Sequence, residues 1–214
     1  MNYNIPANNQ VKNLNKIYLK YFGYKKDGEF VDVGAYDGIS YSNTWGLACA
    51  GWKGICYEPV PSFYAQCYNN HFDHDVITIQ TCIGNKEGYI DLFVAGVLST
   101  TNDDYLNSEY WYNDYKYAQK IMSKITTLDK SLKEHNVNPM FDVLSLDVEG
   151  GETDVLKGFD IGYWKPKMAI VEVQEHHPAK ELTLQAPFIN DYFANARYEK
   201  IYSDEINNIY VKKD

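Results

Sequence analysis

The stretch Phe30-Val-Asp-Val-Gly-Ala-Tyr-Asp-Gly38 decides the fold of this chain of 214 residues. Residues Glu29–Val33 form a short apolar run that predicts a buried strand, and Gly34 follows it directly. A glycine at this position lets the backbone turn sharply and approach a ligand closely. A dinucleotide site has the pattern GxGxxG, whose middle glycine makes room for a pyrophosphate. Because that glycine is absent and the loop carries Asp32 and Asp37, it favours a positively charged ligand without phosphate.

A second acidic position supports an adenosine site. Residues 53–57 (KGICY) predict another strand, which runs into Glu58 and Pro59. A carboxylate at the tip of the second strand can accept hydrogen bonds from both hydroxyls of a ribose. A glycine loop followed about 20 residues later by an acid is the spacing expected of such a site. S-adenosylmethionine fits both features, because it contains adenosine, a sulfonium and an ammonium group but no phosphate.

Helices and strands alternate along most of the chain. We expect helices at 11–22, 42–50 (capped by Ser42 or Asn43), from Pro61 onward, and at 127–135, 152–157 and 182–194. We expect further strands at 75–82, 89–94 (after a hairpin turn at 85–88), 141–146 and 168–173, and a closing antiparallel pair within 198–213. This order predicts an α/β fold with a Rossmann-like, mostly parallel sheet, an antiparallel C-terminal strand and helices on both faces. Residues 1–214 are expected to form one domain.

Composition narrows the choice of partner and compartment. The net charge of −9 and the lack of a basic run disfavour nucleic acid and anionic lipid. No apolar stretch approaches the roughly 20 residues that span a membrane, and the polar first ten residues do not resemble a signal peptide. The four cysteines include no CxxC pair and no zinc-ligand spacing with histidine. We therefore expect reduced cysteines and a cytoplasmic protein.

Acidic residues follow the fourth and fifth predicted strands. Asp147 comes directly after one apolar run, and Glu172 lies at the end of the next, shortly before His176. The carboxyl ends of neighbouring strands meet at one edge of a sheet, so these three side chains are expected to converge as catalytic groups. His176 is the favoured base because its ordinary pKa lies near neutrality. Alternatively, the three residues hold Mg²⁺ or Mn²⁺. Glu152 is interpreted as a charge at a helix N-terminus.

Residues 96–124 contain six aromatic residues among polar ones and show no clear periodicity. Long irregular segments in compact domains tend to be functional. We therefore interpret 96–124 as a lid or acceptor-binding insertion beside the active site.

Five segments together resemble the FkbM-type family of S-adenosylmethionine-dependent methyltransferases. They are FVDVGAYDGISYSNT, GWKGICYEPVPSFY, ITTLDKSL, FDVLSLDVEGGETDVLKGFD and KMAIVEVQEHH, in this order between residues 30 and 177. The resemblance implies a class I methyltransferase fold and O-methylation, often of a hydroxyl of a sugar or glycan. It also implies that the cofactor contacts Glu58 at the ribose, Cys82 and Ile83 along the adenine, and Asp147 near the methyl group. The expected cofactor set further includes Asp32, Gly34, Ala35, Tyr36, Gly38, Asn43 and Pro59; Tyr36 stands where the family commonly has a smaller polar residue.

Other functions remain open on the sequence. A nicotinamide-dependent dehydrogenase is disfavoured by the missing middle glycine of the loop. A methyltransferase acting on a protein, a nucleic acid or a small molecule other than a sugar is a second alternative, with the acidic charge weighing against nucleic acid. A non-catalytic adenosine-binding module is a third, and the acids at the strand ends weigh against it.

Overall fold

In a computed structural model of the protein, residues 11–106, 110–177 and 180–213 are described. The strands are β1 (Glu29–Val33), β2 (Lys53–Tyr57), β3 (Val76–Ile79), β4 (Cys82–Gly84), β5 (Gly88–Val94), β6 (Gln119–Thr127), β7 (Val143–Leu146), β8 (Met168–Glu172), β9 (Tyr198–Ser203) and β10 (Asn207–Lys212). The α-helices are α1 (Leu14–Phe22), α2 (Trp45–Cys49), α3 (Pro61–Asn70), α4 (Asp103–Leu106), α5 (Tyr112–Tyr115), α6 (Leu128–Glu134), α7 (Glu152–Lys157), α8 (Ile161–Trp164) and α9 (Ala186–Asn195). Short 3₁₀ helices cover Gly96–Leu98 and Lys180–Gln185.

Seven strands form the main sheet, in the order β3-β2-β1-β7-β8-β10-β9. The pairs from β3 to β8 are all parallel, whereas β10 runs antiparallel to both β8 and β9. The predicted mostly parallel sheet with an antiparallel C-terminal strand is confirmed. A small second sheet has the order β4-β6-β5.

Side chains alternate along the central strands and pack on two opposite faces. One face joins residues such as Val31 and Leu144 to α6, α7 and α9, and the other joins Phe30 and Val143 to α1, α2 and α3. A parallel sheet covered by helices on both faces has apolar residues at nearly every strand position, as the burial of β7 and β8 illustrates. The carboxyl ends of β1, β2 and β7 are therefore held rigidly at one edge of the sheet.

Some local predictions were wrong. The expected strand at 75–82 is two strands, because Thr81 interrupts it and donates its hydroxyl hydrogen bonds to the carbonyls of Cys82 and Lys124. The predicted hairpin at 85–88 does not form, since β6 lies between β4 and β5 and pairs with both. Residues 119–124, which were expected to belong to the irregular segment 96–124, form part of β6.

The start of α2 also differs from the prediction. The helix begins at Trp45 after the N-cap residue Thr44, rather than at Ser42. Ser42 Oγ nevertheless accepts hydrogen bonds from the backbone N–H groups of Thr44 and Trp45, so it stabilises this turn from two residues before the N-cap. Across the described parts of the chain, no helix combines the length and the apolar character needed to cross a membrane.

Candidate active site

Two adjoining cavities open at the carboxyl ends of β1, β2 and β7. The walls of the first include seven of the expected cofactor residues: Gly34, Tyr36, Glu58, Pro59, Cys82, Ile83 and Asp147. The second is lined by Asp32, Ala35 and Asn43, and it shares Gly34, Tyr36 and Asp147 with the first.

Gly34 brings the loop after β1 against the end of β7. Its φ angle is +90°, and a Cβ atom there would lie 1.7 Å from the carbonyl oxygen of Asp147. No side chain fits at that distance, so the two strand ends touch through backbone only. This backbone contact fixes the position of the glycine loop relative to Asp147.

Glu58 links the tip of β2 to the glycine loop. Its Oε2 accepts the backbone N–H of Tyr36 at 2.9 Å, and its Oε1 accepts that of Val60 at 2.7 Å. The side chain is 5% exposed, and burial raises its pKa to about 8 despite these two hydrogen bonds. Tyr36 has φ +51° and packs its ring on Phe63, with 4.5 Å between ring centroids. Positive φ in a non-glycine residue is costly and is typical of functional loops.

The remaining loop residues have structural contacts of their own. Thr44 donates its hydroxyl to Asp32 at 2.5 Å, and burial raises the Asp32 pKa to about 6. Asn43 donates its amide to Ser145 Oγ at 3.4 Å. Asp37 accepts hydrogen bonds from the backbone of Ile39 and Ser40 and from the Ser40 hydroxyl, so it shapes the turn.

Gly38 is placed apart from the two cavities. A Cβ atom at this position would lie 2.9 Å from His71 Nε2 and 3.0 Å from Cys67 Sγ, on the far side of the loop. Its φ angle of +82° also requires a residue that tolerates the left-handed region. The structure therefore gives Gly38 a packing role between the loop and α3.

Carboxyl groups converge where β7 and β8 end. Asp147, Glu152 and Glu172 each place an oxygen within 4.8 Å of the others. Glu152 Oε1 accepts the backbone N–H groups of Val148 and Gly150, which fixes it beneath the loop. The sequence interpretation assigned Glu152 to the helix terminus; α7 does begin there, but the side chain is 2% exposed and belongs to this cluster.

The cluster holds more negative charge than its surroundings neutralise. Burial and repulsion from Glu149, Asp147 and Glu152 raise the pKa of Glu172 well above its ordinary value. Burial likewise raises the pKa of Asp147, and that of Glu152 to about 7. Glu172 Oε2 has no donor among the described residues, and the carboxyl groups of Asp147 and Glu172 have oxygens within 4.8 Å of each other. The two acids can therefore share a proton.

His176 lies outside this cluster. Its side chain is exposed, and its Nε2 is 3.3 Å from Ser203 Oγ. The structure thus brings Asp147 and Glu172 together and places His176 toward β9. Gln174, which the sequence reasoning missed, instead contacts the cluster: with φ +51°, it donates its side-chain amide to Glu172 Oε1 at 2.5 Å. Only its position just after an acid-bearing strand hints at this role in the sequence.

The segment 96–124, called the aromatic tract below, packs with its first residues over the loop between β7 and α7. Thr100 donates its hydroxyl to the carbonyl of Glu149 at 2.6 Å, and Asn102 donates its amide to that of Gly150 at 2.7 Å. The buried ring of Tyr105 lies against Gly150, where a Cβ atom would come within 2.4 Å of it. Further along, Tyr110 meets His177 edge to face, with ring centroids 4.7 Å apart. Thr100, Asn102 and Tyr105, near the start of the tract, therefore hold it against the site.

Together these features define a Rossmann-like domain with an adenosine-type loop and an acidic strand edge, as in class I methyltransferases. The description "Methyltransferase FkbM domain" matches residues 32–200. The chain belongs to the FkbM family of S-adenosylmethionine-dependent methyltransferases, as its sequence motifs predicted. None of the curated proteins is similar enough in sequence to count as a match.

Solved structures of other methyltransferases share the fold. A caffeoyl-CoA O-methyltransferase homologue from Staphylococcus aureus is similar with a TM-score of 0.51 at 10% identity, over 94% of this chain and 82% of that one. The T. thermophilus 16S rRNA N2 G1207 methyltransferase, in complex with AdoMet and guanosine, gives 0.50 at 10% identity, over 94% of this chain and 42% of that one. Because these enzymes differ in substrate and sequence, the likeness establishes the class I fold alone.

Proposed function

We propose that this methyltransferase transfers a methyl group to a hydroxyl oxygen of a sugar or glycan. The observation that carries the proposal is the carboxyl pair Asp147–Glu172: Asp147 lines the cavity that Gly34 and Glu58 also line, and Glu172 lies behind it with a carboxyl oxygen within 4.8 Å. A hydroxyl is a weak nucleophile until its proton is removed, and a positioned base contributes about 10²–10⁴-fold to such a reaction. Buried acids with raised pKa values are stronger bases than ordinary carboxylates.

S-adenosylmethionine would supply the methyl group as an electrophilic carbon on a sulfonium. In the proposed placement, Glu58 accepts hydrogen bonds from the ribose hydroxyls, and Cys82 and Ile83 flank the adenine. Asp147 lies toward the methionine end. All four residues line the same cavity, which supports one continuous binding site.

The carboxyl pair is proposed to manage the acceptor's proton. As the acceptor oxygen bonds to the methyl carbon, the bond from that carbon to the sulfonium sulfur would break, and S-adenosylhomocysteine would leave. The hydroxyl proton would pass to the ionised member of the pair, while Gln174 holds Oε1 of Glu172 in place. His176 remains an alternative base, but its exposure and its contact with Ser203 give it less support. Positioning of the hydroxyl near the methyl carbon carries the rest of the rate enhancement.

The aromatic tract is proposed to bind the acceptor. Tyr110 and Tyr112 are 50% and 63% exposed and lie on the segment that continues from the docked residues Thr100 and Asn102. Exposed tyrosine rings offer an apolar face and a hydroxyl, which suits the alternating CH and OH groups of a sugar. The net charge of −9 supports a neutral acceptor rather than nucleic acid.

A divalent cation is a second proposal for the same acids. Oxygen ligands suit Mg²⁺ or Mn²⁺, and Glu172 Oε2, buried and without a donor among the described residues, points to a missing positive partner. Asp147 and Glu172 were in the metal set predicted from the sequence; the geometry supports Glu152 as the third ligand in place of His176. Loss of activity with chelator and recovery with Mg²⁺ or Mn²⁺ would support the metal, and insensitivity to chelator would contradict it.

The decisive experiment is a screen of monosaccharides, oligosaccharides, peptides and phenolic small molecules with labelled S-adenosylmethionine. We expect label in an ether-linked methyl group of a carbohydrate, and loss of that activity in Glu172→Gln. Glu175→Gln, three residues away in an ion pair with Lys200, is the matched control and should stay active. Label only in a peptide or in a non-sugar small molecule would overturn the sugar assignment. We further propose that the chain acts as one domain in the cytoplasm, which the buried thiols of Cys56, Cys67 and Cys82 support.

A further inference from the structure

A cluster of sulfur and nitrogen ligands lies behind the cofactor loop. Cys56 belongs to β2, Cys67 lies in α3, and His71 directly follows that helix. All three side chains are 2% exposed or less, and each offers a ligand atom within 4.8 Å of the other two. His71 Nε2 is 3.9 Å from Cys56 Sγ. The linear spacing gave no zinc signature, because the strand and the helix assemble the cluster only in the fold.

Two imidazoles at this position each have one ring nitrogen without a polar partner in the described part of the chain. His71 Nδ1 and His74 Nδ1 are both buried without a hydrogen-bond partner among the described residues. The two rings lie edge to face with centroids 5.5 Å apart, and Trp45 packs against both. An unpaired buried ring nitrogen costs free energy unless a proton or a metal ion engages the imidazole.

Each member of the cluster offers an atom that zinc prefers as a ligand. Cys56 and Cys67 offer sulfurs, and His71 offers Nε2. Metals bind the thiolate form of cysteine and the neutral form of histidine. Buried cysteines that serve only as core residues need no such neighbours.

We propose that Cys56, Cys67 and His71 bind one Zn²⁺ ion. Two cysteine sulfurs and one histidine nitrogen are common zinc ligands, and a water molecule can take the fourth position. With Zn–S near 2.3 Å and Zn–N near 2.0–2.1 Å, neighbouring ligand atoms would lie roughly 3.3–3.8 Å apart, so the present cluster must contract by about 1 Å. Binding would release the remaining thiol protons.

The position of this site gives it a function in the fold. Cys67 and His71 pack directly against the backbone of the cofactor loop. A Cβ atom at Gly38 would lie 3.0 Å from Cys67 Sγ and 2.9 Å from His71 Nε2. Asn70, which directly precedes His71, donates its side-chain amide to the carbonyl of Asp37 at 2.8 Å. A zinc ion would therefore join β2 and α3 at the point where both support the cofactor loop.

The test uses the reduced, full-length chain stripped of metal and titrated with Co²⁺, which reports thiolate ligation by an intense near-ultraviolet band. We expect one equivalent of Co²⁺ to give this band and Zn²⁺ to displace it. Cys56→Ser and Cys67→Ser should lose the band, whereas Cys49→Ser, which alters an exposed cysteine, should keep it. His71→Gln should weaken zinc binding by more than about 100-fold, since even outer partners of metal ligands contribute 10- to 100-fold.

A second measurement covers variants that fail to fold. Zinc at 100 times its Kd should raise the wild-type Tm by roughly 5–10 °C, the shift expected for ligand binding to a domain of this size. Two results would overturn the proposal. One is a folded, fully reduced wild-type protein that gives neither the cobalt band nor the Tm shift. The other is a native protein with only two titratable thiols, which would mean that Cys56 and Cys67 form a disulfide.

Discussion

Replacement of Glu58 by glutamine tests the cofactor site most directly. Each oxygen of Glu58 accepts one backbone N–H, from Tyr36 and from Val60, and each keeps a second lone pair for a ribose hydroxyl. Glutamine has the same shape but only one acceptor oxygen, and its NH₂ group must face a backbone donor. Loss of one hydrogen bond to a charged acceptor is worth about 1.5–3 kcal/mol, or roughly a 10- to 150-fold weaker affinity for S-adenosylmethionine.

The raised pKa of Glu58 adds a signature that a merely structural change would not produce. With a pKa of about 8, this carboxyl is mostly protonated at pH 7 in the free protein. Ribose hydroxyls donating to it, and a cationic ligand nearby, favour the ionised form and lower its pKa. Binding at pH 7 should therefore release close to one proton, and affinity should rise with pH until it levels above pH 8.

Isothermal calorimetry in two buffers of different ionisation enthalpy measures both effects. The wild type should show a buffer-dependent heat at pH 7 that falls at pH 9. Glu58→Gln should show a smaller one at pH 7, which comes from the other acids with raised pKa values, Asp32 and Glu152. Glu199→Gln, on the exposed face of β9, is the control and should behave like the wild type. Equal heats in both buffers for the wild type, together with unchanged affinity of the Glu58 variant, would refute the ribose assignment.

Three further predictions concern the loop, the acceptor tract and the acids. Gly34→Ala should abolish cofactor binding, because its Cβ would meet the Asp147 carbonyl at 1.7 Å; Gly51→Ala, at nearly the same φ (+88°) but 3.9 Å from its nearest atom, should only lower the Tm slightly. Tyr112→Ala should raise the KM of the acceptor severalfold and leave cofactor affinity unchanged in calorimetry; an equal loss of both would place Tyr112 in the cofactor site. The ligand-free protein should lose stability as pH rises from about 4.5 to 8, because Glu58 and Glu152 bind protons in the folded state that the unfolded chain has released. Its Tm should therefore be higher at pH 5.5 than at pH 8.5, and a flat profile would contradict the raised pKa values.

Local signals in the sequence predicted the parts of the fold that depend on buried strands and glycine turns. β1, β2, β7 and β8 are continuous apolar runs, and the turn at Gly34 follows one of them. Such runs are typical of parallel strands covered on both faces. The small sheet escaped prediction because β6 is largely exposed and its partners β4 and β5 are brought to it by tertiary contacts.

The sequence predicted where the candidate site lies, but it did not predict all of the residues that form it. Strand ends placed Asp147 and Glu172 at one edge, since register and topology fix where parallel strands finish. Glu152 and Gln174 depend on backbone geometry after the strands, including the positive φ at Gln174, which no pattern of residue types announces. The Cys56–Cys67–His71 cluster depends on the packing of α3 against β2. The spacing of these residues along the sequence therefore matches no metal-binding motif.

The place of β10 in the sheet affects how the chain is made. This strand comes last in sequence among the described strands, yet it lies between β8 and β9 and hydrogen-bonds to both. At a ribosomal rate of 5–20 residues per second, the 40 residues from the end of β8 to the end of β10 take about 2–8 s to synthesise. During that interval the wholly buried strand β8 has an open edge, which is a template for pairing with other chains. The nascent protein therefore passes through a short period in which dilution or a chaperone protects it from aggregation.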